Sequence, residues 1–167
     1  MKKILILFLF FFLVWCWSSW TNMGIEEYNN TLISFQEASV DALKNYYEGL
    51  EKNYDGSNLI LLFTWTLEDL SSLESQAENI SWWNDDNELR DAVVNYISWM
   101  RAAFMTYEWP VIEILVDYTG QVSRFYKDNE EVFSQSAMQL ASELAILDKS
   151  LEESYIHFAE NHGYKNP

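Results

Sequence analysis

From residue 25 to about residue 160, apolar side chains recur at alternating steps of three and four, a spacing that lines up one face of an α-helix. Little interrupts it. Five glycines and two prolines serve all 167 residues, and no Val/Ile/Thr-rich run of period two lies between them. An all-α fold is therefore expected, and the length suits one domain.

Four segments carry the pattern. The first, 25–52, has a seam of Ile25, Tyr28, Leu32, Phe35, Ser39, Ala42, Tyr46 and Gly49, with a second stripe through Ile33, Val40, Leu43, Tyr47 and Leu50. Asn53-Tyr54-Asp55-Gly56-Ser57 then has turn chemistry, with Ser57 as the expected N-cap of a second helix over 58–81. That helix carries Leu59, Phe63, Thr66, Leu70, Leu73, Ala77 and Ile80, and its apolar opening, 59–65, reads as deeply buried because it is far short of a bilayer span. Asp85 and Glu88 have capping-box spacing for a third helix along Leu89, Val93, Tyr96, Met100, Ala103 and Tyr107. Pro110 lacks a backbone donor and should kink this helix, beyond which the stripe shifts to Val111, Leu115 and Tyr118. A connection over 119–127 containing Gly120 leads to a second capping box, Asp128 with Glu131. The fourth helix follows on Phe133, Ala137, Leu140, Leu144, Leu147, Leu151, Ser154 and Phe158, with Gly163 just past its end. Short corners make sequential neighbours antiparallel, which predicts an up-down-up-down antiparallel four-helix bundle over 21–167. Three helices with the fourth packed elsewhere is the alternative.

Residues 1–20 read differently. Met1-Lys2-Lys3 precedes twelve uncharged apolar residues, 4–15, with the n-region and h-region proportions of a bacterial export signal, so this segment is assigned as a signal peptide or membrane anchor. Leu13-Val14-Trp15-Cys16 resembles the lipobox of bacterial lipoproteins, over four residues, departing at Trp15 where that family places Gly, Ala or Ser. The resemblance implies lipidation of Cys16. Cleavage after Ser18 or Ser19 is a second outcome. A third is an uncleaved anchor with Trp15, Trp17 and Trp20 at headgroup level. Two of the three leave the body attached to a membrane and facing outward, through the N-terminal segment or a lipid. Cys16 is the single cysteine, so a body in the oxidising envelope or periplasm must hold together by packing, without a disulfide.

Net charge is −16, and because Lys2 and Lys3 lie in the leader, the body sets eight basic residues against 26 acidic ones. Nucleic acid is excluded as a partner on that balance. Apolar residues make up 49% of the chain, which rules out an acidic disordered tail.

The sequence carries no complete catalytic constellation. A carboxylate-bridged metal pair needs Glu-x-x-His on two helices, yet His157 and His162 are the only histidines, and Glu153 precedes His157 by four residues. His157 is expected half-buried beside Phe158, and His162 frayed. The run Asn84, Asp85, Asp86, Asn87, Glu88 and Asp91 lacks the glycine turn of a calcium loop and reads as a helix cap. Glu113 and Asp117, one turn apart, read as a solvated face. No phosphate-binding glycine loop, nucleophile elbow or C-x-x-C pair occurs. The seams as far as Tyr107 contain no Asp, Glu, His, Lys or Arg, which predicts interiors apolar from end to end. No cofactor, metal or catalytic residue is assigned. Sequons at Asn29 and Asn79 are set aside as chance matches.

Trp82 and Trp83 occupy a corner where both rings cannot easily turn inward, either capping the open end of the bundle or forming a recognition patch. Two functional readings follow. One is a non-enzymatic protein-interaction or structural role for an exported, membrane-tethered bundle with a protein partner. The other is a small-ligand or glycan-binding module using Trp82 and Trp83.

Overall fold

The computed structural model describes residues 24–52, 56–81, 87–117 and 122–163. They form four helices, α1 (Ile25–Lys52), α2 (Gly56–Glu78), α3 (Glu88–Asp117) and α4 (Val122–His162), and no strand occurs among the described residues. No helix among the described residues is long and apolar enough to cross a membrane.

Side-chain contacts fix the directions. Gly49 near the end of α1 lies against Leu62 near the start of α2. Phe63 of α2 stacks on Phe104 of α3 at 5.2 Å, while Glu74 further along α2 pairs with the earlier Arg101 at 2.8 Å. Tyr96 meets Asp148, and Tyr107 meets Ser136, so α4 runs against α3. Neighbours in sequence thus alternate in direction, as expected. The packing is not square, however: α3 touches all three other helices, and backbone approach of α1 to α4 is replaced by contact of long side chains, as in Tyr28 against Phe158 at 5.8 Å.

The core is built on the seams the periodicity defines. Tyr28, Leu32, Ser39 and Tyr46 of α1 are fully buried, as are Leu70 and Ala77 of α2 and Leu89, Val93 and Met100 of α3. An aromatic chain ties three helices together, Tyr46 edge-on to Phe104 at 4.7 Å and Phe104 stacked on Phe63, which in turn meets Trp109 at 5.5 Å. Such pairs contribute about 0.5–1.5 kcal/mol each beyond the area they bury.

Several expectations are corrected. Helix α2 starts at Gly56, so Ser57 lies inside the helix rather than capping it, and it closes at Glu78 with three-residue turns from Asn79 to Gln76 and Ile80 to Ala77. Helix α3 opens at Glu88, with the Asn87 carbonyl accepting from the Asp91 amide, which puts Glu88 at the first helical position rather than the third. Pro110 lies inside α3, which continues beyond it to Asp117, and Val111 is buried as the shifted stripe requires. Helix α4 begins at Val122, six residues before Asp128, since nothing between Val122 and Asp128 breaks a helix. Its seam passes through Ser136, buried, and leaves Ala137 exposed. Gly163 has φ of 64° after the last helical residue, the left-handed position for which glycine carries no Cβ penalty.

The apolar opening of α2 is not deeply buried. Leu59 and Phe63 turn inward, but Ile60, Leu61 and Trp65 are exposed, Trp65 to 57%. A helix packed on one side buries an arc, and residues on the other side stay in solvent whatever their polarity.

Candidate functional site

The interior is not apolar from end to end. Continuing the α3 seam by four from Phe104 reaches Glu108, which is only 3% exposed. Its Oε1 accepts hydrogen bonds from the Tyr47 hydroxyl at 2.7 Å and the Ser136 hydroxyl at 3.4 Å, and its Oε2 accepts from the Tyr46 hydroxyl at 3.3 Å. Ser136 also donates to the Tyr107 carbonyl at 2.6 Å. Burial raises the Glu108 pKa, and the three hydroxyl donors pull it partly back. The Tyr47 phenol is raised far above its ordinary value by burial, then by the charge of Glu108 and the bond to it, so it remains a donor. A buried carboxylate without partners costs several kcal/mol, and this one is held by side chains from α1 and α4, which joins three helices at one point. No group of three or more His, Cys, Asp or Glu suited to a metal occurs among the described residues.

A groove of about 400 Å³ opens between α3 and α4. Its apolar floor is Ala92, Leu147 and Leu151, and its polar margin is Asn95, Ser150 and Ser154. Tyr96 lines it and donates its hydroxyl to Asp148 Oδ1 at 2.7 Å. Burial, then this bond and the charge of Asp148, raise the Tyr96 phenol and keep it protonated. Trp99 stands beside the groove with 65% of its surface exposed, more than any other large apolar side chain among the described residues.

The other sequence-derived candidates are placed as follows. Cys16, with the whole leader, and the corner tryptophans Trp82 and Trp83 lie outside the described residues. His157 is exposed rather than half-buried and sits 3.1 Å from Glu88 Oε1, while His162 packs on Phe158 at 4.6 Å instead of fraying. Glu113 is exposed and accepts the Trp109 indole N–H at 2.8 Å. Asp91 is tied to Arg90 at 2.7 Å. Asn29 is buried, which leaves no room for a glycan on it.

Sequence reasoning missed Glu108 by following the α3 seam through Tyr107, although the four-residue step from Phe104 pointed to it. Trp99 carried no signal of its own, because a lone aromatic on a helix is as readily core as surface.

Among the described residues, fold and site together define an acidic, all-helical four-helix arrangement with one buried carboxylate and a side groove. Comparison with protein-family models, curated proteins and solved structures gives no match, so its function is read from its own residues.

Proposed function

We propose that this chain is an extracytoplasmic helical bundle, tethered at its N-terminus, that acts by contact with a protein partner rather than by catalysis. The observation that carries the reading is the exposed apolar face Ile60, Leu61 and Trp65 at the start of α2. Met105 and Trp109 of α3, also exposed, lie in the same half of the bundle, since Trp109 touches Phe63. Apolar surface grouped in this way marks interaction sites more often than it occurs by chance. Exposed Glu68 and Asp69 follow Trp65 by three and four residues, so the fitting partner is an apolar surface with a basic rim.

A tether at the N-terminus would set the reach of this face. Leu62 lies level with Gly49, and by the rise of an α-helix that is roughly 35 Å along α1 from Ile25, where the leader joins. A bundle anchored by residues 1–20, by a lipid on Cys16 or as an uncleaved span, would hold the apolar face away from the membrane and toward a partner. Glu108 has a structural task in this reading, its oxygens engaged by hydroxyls of its own chain.

A photo-crosslinking residue in place of Trp65, in the producing cell, is expected to give a discrete protein adduct that the same residue at Glu143 does not. Leu61→Gln should reduce the adduct while helicity is unchanged. Equal labelling at both positions, or none at Trp65, overturns the contact reading. Intact mass of the membrane fraction tests the address, because lipidation at Cys16, cleavage after Ser18 or Ser19 and retention of Met1 give three different masses.

A further inference from the structure

The groove between α3 and α4 lies apart from the apolar face of α2 and has a different chemistry. An aromatic plane, two hydroxyls and an amide border one apolar floor. The Asn95 amide, the Ser150 hydroxyl and the Trp99 indole N–H have no hydrogen-bond partner among the described residues, and Ser154 spends its hydrogen on the Ser150 carbonyl at 3.1 Å, which leaves its oxygen free to accept. Donors and acceptors of both kinds therefore line one space, with an indole beside them.

We propose that this groove takes the ring of a neutral pyranose. A pyranose presents an apolar C–H face and a rim of hydroxyls that both donate and accept. Trp99 supplies the plane for the first, and Asn95, Ser150 and Ser154 supply partners for the rim. The space, about 400 Å³, holds one ring with room for a linked neighbour.

Other ligand classes fit less well. An anionic ligand would meet a body with 26 acidic residues. A wholly apolar ligand or peptide segment would leave the amide and hydroxyls desolvated without partners, a cost that pockets of this kind avoid. A quaternary ammonium needs several ring faces around it, and Tyr96 is buried, which leaves Trp99 as the single open one.

The full chain, in detergent or as purified, should show saturation transfer in solution NMR to at least one of glucose, galactose, mannose and N-acetylglucosamine, with affinity on the order of millimolar. Trp99→Ala should weaken it by about tenfold and Asn95→Ala by less, with helicity unchanged, and Met138→Ala, exposed elsewhere on α4, should leave it as it is. Tetrasaccharides of the responding sugar separate the sources: tighter binding assigns a glycan chain, equal binding a free sugar, and both sustain the proposal. No transfer to any of the four sugars, transfer that survives Trp99→Ala, or binding of choline in their place overturns it.

Discussion

Tyr47 donates its hydroxyl to Glu108 Oε1 at 2.7 Å, joining two helices across 61 residues of sequence at a point where the rest of the interior is almost entirely apolar. The bond favours the ionised carboxylate, so its value depends on whether Glu108 is charged. Tyr47→Phe should cost about 1.5–3 kcal/mol at pH 8, where a hydrogen bond to a charged group is lost. The cost should be smaller at pH 5. Urea unfolding of both chains at the two pH values measures the difference, and an equal cost at both would show that the bond does not sense the charge.

Substitution of the carboxylate itself gives a second, opposite pH dependence. Burial raises the Glu108 pKa in the folded protein above its unfolded value. The folded state then binds the proton more tightly than the unfolded one. Its contribution to stability is present in full below the unfolded pKa and is lost as pH rises through the folded one. Glu108→Gln keeps the shape without the titration, so its stability relative to wild type should climb with pH across that interval. The other carboxylates are common to both chains and cancel in the comparison. Glu108→Ala should follow the same trend about 2–4 kcal/mol below Glu108→Gln at every pH, because it leaves a cavity and deprives Tyr46 and Tyr47 of their acceptor. Thermal unfolding across pH 4–9 distinguishes the three chains.

Two tyrosines on facing helices should respond in opposite senses to loss of the hydroxyl. The Tyr155 hydroxyl is buried without a hydrogen-bond partner, whereas that of Tyr96 donates to Asp148. Tyr155→Phe removes an unpaired polar atom and should stabilise by about 1 kcal/mol, while Tyr96→Phe should destabilise by about the same amount. Burial, then the charge of Glu37, raises the Tyr155 phenol, so the stability it contributes falls away only in strong alkali. The Tyr155→Phe gain should therefore widen above pH 10. Chemical unfolding at pH 7 and 11 tests both signs.

How much of this was legible in the sequence follows from what periodicity encodes. A three-four repeat gives the direction of the buried face, which is why Tyr28, Leu32, Tyr46, Leu89, Val93 and Leu151 are core residues as expected. It does not give the width of the buried arc, which depends on how many neighbours a helix has. Ile60, Leu61 and Trp65 were expected inside for that reason and lie outside, since among the described residues α2 is covered only by α1 and α3. Capping patterns failed where a stronger local rule applied: Asp128 resembles a helix start, yet the preceding residues have no cause to leave the helix. The α3–α4 groove was not legible at all. It depends on the relative rotation of two helices and on small side chains, Ala92, Ser150 and Ser154, meeting across them.

Close approach of α1 and α2 depends on a missing side chain, and this yields the last prediction. A Cβ added at Gly49 would lie 2.6 Å from Leu62 Cδ2 and 3.1 Å from its Cδ1, and no other residue is among its three nearest contacts. Gly49 is inside a helix, where alanine is favoured over glycine by about 1 kcal/mol. Leu62 is half-buried and its methyls are the mobile end of the side chain, so it can rotate aside at a cost of similar size. Gly49→Ala should thus change stability by less than about 1 kcal/mol. Gly49→Val, bulkier and branched at Cβ, should cost about 2 kcal/mol or more, because rotation of Leu62 no longer clears the space. If Leu62 is the obstacle, Leu62→Ala removes it, and Gly49→Ala should then gain about 1 kcal/mol more in that background than in wild type. A double-mutant cycle by urea unfolding measures this coupling, and a coupling near zero would mean that α1 and α2 are held apart by something other than the fit of Leu62 over Gly49.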